Sequence, residues 1–181
     1  MPPLPHVAAA LTTTLPLPTV VVEVLLISAD QDGLRFRATS APLRDEHPDV
    51  VARSLAELPP GRSDGLLHST SWRFAGRSLT VTYVALPDPS PGAPTTQIAP
   101  TPVLNSGDPL APSPAEIRPV DVAVHACRHL AFLRQTDPTV AAVAAPSGAG
   151  APLIWRFISE FTPAVAGALA PNATSVLART G

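Results

Sequence analysis

His125 and His129 stand four residues apart in a run that reads as a helix, with Asp121 four residues earlier. Side chains at that spacing stack along one side of a helix. Two imidazoles so placed can chelate a transition metal, with Asp121 as a third ligand or as the group that orients a ring. Arg128 falls in the same polar wedge and could meet a phosphate. The simpler alternative is the solvated edge of an otherwise buried helix. Cys127 falls on the apolar side, where a thiol serves as a small core residue. A second polar cluster is His68-Ser69-Thr70-Ser71-Trp72-Arg73. Strand neighbours point to opposite faces, so His68, Thr70 and Trp72 are expected on one face and Ser69, Ser71 and Arg73 on the other. Imidazole, hydroxyl and indole together could line a pocket for a base or sugar, with Arg73 or Arg77 reaching a phosphate. The alternative is a half-exposed strand with arginines in its turn.

These residues depend on the elements that carry them. Thr19 to Ser28, TVVVEVLLIS, is rich in β-branched residues and nearly all apolar, as in a strand buried on both faces. Asp30-Gln31-Asp32-Gly33 supplies a turn, with Gly33 able to take positive φ. Leu34 to Thr39 then alternates apolar and polar as a hairpin partner. A helix is expected from Pro48 to Leu58, with Val51, Leu55 and Leu58 as its apolar stripe and Pro59-Pro60-Gly61 as its stop. Two strands follow, Leu66 to Trp72 and Ser78 to Leu86, joined by a turn on Phe74-Ala75-Gly76-Arg77.

Residues 87–119 are dominated by Pro, Ser, Thr, Ala and Gly, and are expected to be polyproline-like or disordered rather than packed. Linker is the favoured role there, with docking to a polyproline-binding partner as the other. A helix over Asp121 to Gln135 comes next, and then helical runs over Leu153–Phe161 and Pro163–Ala170 broken at Pro163. The order β-β-α-β-β, long loop, α, α predicts an α+β domain with helices packed on a mostly antiparallel sheet. Residues 1–18 read as an irregular leader with a short helix near Val7 to Leu11. Residues 19–136 read as the main domain and 137–181 as a C-terminal helical extension.

The stretch Asp45 to Gly61, DEHPDVVARSLAELPPG, resembles a worn copy of the Nudix hydrolase box. That box is a strand-loop-helix-loop motif: Gly, five residues, Glu, seven residues, then Arg-Glu-aliphatic-any-Glu-Glu-any-Gly-aliphatic. With Arg53 on the motif arginine, Leu55 falls on the aliphatic position and Glu57 on the first carboxylate of the pair. Asp45 falls where the first Glu stands. Thr39, Ser54, Leu58 and Pro60 depart from the pattern. The resemblance implies a Nudix-like mixed or antiparallel sheet with packed helices, spanning residues 19–136. In that family the helix aims several carboxylates at Mg²⁺ or Mn²⁺, which neutralise a diphosphate and activate water. The implied catalytic residues are Glu57, Arg53 and Asp45, with Glu57 and Asp45 as metal ligands. Glu23 and Asp64 are outside carboxylates that an active site could recruit. Otherwise Arg53 and Glu57 form an ion pair on a solvated helix face.

The bulk numbers narrow the function. All 12 basic residues are arginine and the net charge is −2, without a basic run, so a general nucleic-acid binder is not expected. The 24 prolines, the excess of alanine and the missing lysine fit GC-rich coding. One cysteine fits a reducing compartment. No apolar run reaches the ~20 residues of a membrane span, and the N-terminus is a poor secretory signal. The expectation is a soluble cytoplasmic protein. Three functions follow: a Nudix-like domain that binds a nucleotide or other phosphorylated small molecule without efficient hydrolysis; an active Mg²⁺- or Mn²⁺-dependent hydrolase of nucleoside-diphosphate-linked compounds; or a protein-interaction module, including a homo-oligomer.

Overall fold

A computed structural model describes residues 17–58, 65–101, 106, 108, 110–111, 113–114, 116–145 and 151–165. Most of the leader, Asp64 and most of the expected Pro163–Ala170 helix lie outside the described residues; Pro163 to Val165 are irregular.

The apolar run near the N-terminus forms β1 (Thr19–Asp30). Its side chains alternate between two cores, with Val22, Val24 and Leu26 on one face and Leu25 and Ile27 on the other. A central strand buried on both faces needs such a run. β2 (Gly33–Pro42) returns antiparallel, and Asp30 pairs with Gly33 across the tight turn. Gly33 takes φ +138°, as its place in the turn requires. The Asp30 carboxylate accepts from the Asp32 amide at 2.9 Å.

α1 (Pro48–Leu55) crosses one face of the sheet and buries Val51 and Ala52. Pro48 sits in the first turn, and the His47 ring accepts from the Asp49 amide at 3.2 Å. The helix ends three residues before the expected Leu58. Leu58 precedes Pro59, and a residue before proline is pushed out of the helical region. Ala56 caps the helix, and Glu57 follows with φ +53°.

β3 (Leu66–Ala75) and β4 (Ser78–Leu86) form a second hairpin. β5 (Thr96–Ile98) pairs with β2. The five strands run in the order β3-β4-β1-β2-β5; β1 and β4 are parallel and the other pairs antiparallel. The fold is therefore α+β around a mixed sheet. α2 (Pro119–Thr136), α3 (Pro138–Val143) and α4 (Ala151–Ile158) share a core with the face opposite α1.

Two expectations are corrected. The Pro-rich stretch does carry packed structure, because Ile98 on β5 is buried against Leu34 and Phe36. A three-residue strand is too short for any periodicity to show. The end of α2 also opens a further helix, α3. The Asp137 carboxylate accepts from the Thr139 and Val140 amides at 2.8 and 3.0 Å, capping a helix that starts on Pro138.

Candidate functional site

The box-like residues do not converge. Arg53 is exposed on α1, Asp45 is exposed before it, and Glu57 is exposed beyond the helix end. Among the described residues no ion pair joins Arg53 to Glu57. The expected i, i+4 pair fails because the backbone turns left-handed at Glu57, which takes its side chain off the helical face. Leu58, in place of a second carboxylate, packs against the α1-side core.

Other polar groups on that side are committed to one another. Tyr83 donates its hydroxyl to the Asp49 carboxylate at 2.5 Å. Burial, then the hydrogen bond and charge of Asp49, push the phenol up to about 12. Arg37 grips the fully buried Asp88 carboxylate through Nε and Nη2 at 2.7 to 3.1 Å. That hydrogen bond raises the Arg37 pKa against a smaller opposing effect of burial. Glu23 points to the opposite face, into a forked pair with Arg73 at 2.8 and 2.9 Å, with the Thr82 hydroxyl beside it. It is not available to α1. Among the described residues no three His, Cys, Asp or Glu side chains gather closely enough to hold a metal ion.

The histidines do converge. His68 on β3 faces α2, and its Nε2 lies 3.3 Å from Nε2 of His129. The ring centroids are 5.3 Å apart at 32°. Phe132 also stacks on His129, 6.4 Å between centroids at 17°. His129 is only 9% exposed, so this side of α2 is not a solvated stripe. Burial lowers the pKa of all three histidines. Asp137 opposes the shift at His68, and the Thr70 backbone opposes it at His125. At His129 the neighbouring His68 and His125 add to it, while the Ala164 backbone opposes it. His129 Nδ1 and Arg128 Nε are buried without a hydrogen-bond partner.

Asp121 is not part of this group. It caps α2 by accepting from the Arg118 amide at 2.9 Å and is held by the Arg118 guanidinium, which lowers its pKa. Cys127 is buried and its thiol is pushed up to about 12, so it is a core residue.

The expected division of β3 into faces is also corrected. A register shift between Ser69 and Ser71 leaves one extra residue on this strand. Beyond it the alternation flips, so His68 and Arg73 share the α2 face while Trp72 and Phe74 turn to the α1 side, opposite Val81 and Leu79. There Trp72 is 71% and Phe74 58% exposed. Phe74 was not among the candidate residues, although its place two residues after Trp72 on a strand is the signal that would have found it. Arg77 lies in the β3–β4 turn, with its carbonyl accepting from the Thr19 amide at 3.1 Å. Comparison with known proteins finds no matching family model, curated protein or solved structure.

Proposed function

We propose that this domain is a Nudix-like scaffold that does not hydrolyse its ligands and acts as a protein-interaction module, with a second copy of the chain as partner. The scaffold reading is supported by the order of elements, with one helix between two hairpins on one face and the last helices on the other. Loss of hydrolysis is supported by the displaced Glu57 and the engaged Glu23.

The observation that carries the interaction reading is the pair Trp72 and Phe74, exposed side by side on β3, an edge strand of the sheet. Natural edge strands are usually shielded by charge or cover, and exposed aromatics on an edge invite another strand. The one charged residue of β3 apart from its histidine is Arg73, already paired with Glu23 in its own chain. Two copies meeting antiparallel along β3 across a two-fold axis would therefore bring no uncompensated arginines together.

Sedimentation over a range of concentrations tests this. The wild type dimerises, and Trp72→Lys with Phe74→Lys yields a monomer of unchanged circular dichroism. A wild type that stays monomeric throughout refutes the homodimer. Turnover of nucleoside-diphosphate-linked compounds with Mg²⁺ or Mn²⁺ stays at background.

One observation favours a second reading, the binding of a phosphorylated small molecule or nucleotide: Arg128 Nε is buried without a partner. Arg73, on the same face of the sheet, has its fork filled by Glu23. A metal-independent thermal shift with such a compound, lost in Arg128→Gln, supports that reading.

A further inference from the structure

We propose that the contact between His68 and His129 is an acid-sensitive latch: it holds the edge strand β3 against α2 while the rings are neutral and releases it when both are protonated. The latch is independent of the homodimer. The two Nε2 atoms are 3.3 Å apart, a hydrogen bond between imidazoles. A neutral imidazole offers one N–H and one lone pair, so one ring donates and the other accepts. An imidazolium has only donors. With both rings charged, two N–H groups face each other and the bond becomes a repulsion.

The seam between β3 and α2 has little else to hold it. Of β3, Leu66 alone among the described residues joins the apolar core shared with α2. Thr70 is buried, but it donates to the Thr82 carbonyl of its own sheet at 3.3 Å. Arg73 is forked onto Glu23 of β1. From α2, His125 leans on the Thr70 backbone. Beyond Leu66 the ties from helix to strand therefore run through histidines.

A charge in this seam is poorly received. His129 is 9% exposed, and its Nδ1 is buried without a hydrogen-bond partner. Among the described residues no carboxylate forms an ion pair with either ring. On α2, His125 opposes a charge at His129, and Arg128 opposes one at His125. Arg134, further along, donates to the Trp155 carbonyl on α4 at 3.1 Å. Asp137 favours a charge at His68, but its carboxylate is occupied in capping α3. The Ala164 backbone favours one at His129. Burial outweighs both, so the folded chain takes up these protons less readily than the unfolded chain, whose imidazoles titrate near 6.5. Stability from the pair is full above that pH and is lost as pH falls below it.

Amide exchange of the whole chain, followed by NMR at about pH 7.5 and about pH 5, reads the latch; carboxylates stay ionised across that range. The β3 amides bonded to β4 are expected to lose protection ~tenfold or more at the lower pH, while β1 keeps its own. His68→Asn, which cannot charge, reduces that loss, and adding His129→Phe removes most of it. His47→Ala, at α1 on the opposite face of the sheet, leaves the loss unchanged. If the double variant does not fold, His68→Asn alone decides, because His68 lies outside the apolar core. Equal β3 protection at both pH values in the wild type, or a loss undiminished in His68→Asn, overturns the latch.

Discussion

Tyr83 is the only tyrosine of the chain, so its ionisation can be read without interference. The hydroxyl is buried beside the Asp49 carboxylate, and both effects resist a second negative charge. Absorbance of tyrosinate should rise with a midpoint of about 12 in the folded protein, and of about 10 in denaturant. The sign of the linkage follows. The unfolded chain loses its proton first, so stability is full below about pH 10 and falls as pH rises through the folded value. A folded midpoint at the unfolded value would show that the Asp49 contact does not persist in solution. At this scale the sequence was informative about neighbours in the chain. Spacing placed His125 and His129 on one side of α2, but His68 lies 61 residues before His129. Only the register of β3 against β4 brings it there, and no local pattern encodes that register. Nor could spacing show that Asp121 is spent on capping its own helix.

α1 and its ending decide what the box-like segment can do. Glu57 holds a left-handed backbone that a side chain occupies at a cost, while glycine does so readily. Glu57→Gly should therefore raise stability by about 0.5–1 kcal/mol, seen as a higher denaturant midpoint with unchanged slope. A loss of stability would mean that Glu57 makes a compensating contact, for example with Arg37, whose charge it reaches. The strands were legible wherever a run was long: β1 from its continuous apolar residues, β2 from alternation, β4 at both of its ends. The bulge in β3 was not, because one added residue leaves composition untouched while turning every later side chain over. β5 was hidden for a different reason: its single buried residue, Ile98, sits among prolines that look like linker.

The sheet divides the molecule into two unequal cores, and this sets how much of the chain the fold needs. The α1 side is the smaller, with Val22, Val24, Leu26, Val51, Tyr83 and three alanines buried and several leucines packed at its edge. The other side holds most of the large buried side chains, and α4 supplies several of them: Ile154, Trp155 and Ile158, with Phe161 just beyond. The sequence suggested a C-terminal helical extension from residue 137 onward, interrupted by a stretch of Ala, Gly and Pro. The packing argues for a more integral role. Trp155 is 1% exposed and touches the same cluster as Leu25, Ile27 and Leu130. Trp155→Ala should cost ~3–5 kcal/mol by lost burial and the cavity left behind. A chain ended after Ala145 removes all four of those side chains and should lose cooperative unfolding altogether, because Leu25 and Ile27 on the central strand would face water. Denaturant titration followed by far-ultraviolet circular dichroism reads both. If the shortened chain keeps a sharp transition with an undiminished midpoint, α4 is an appendage, and the core of this domain closes without it.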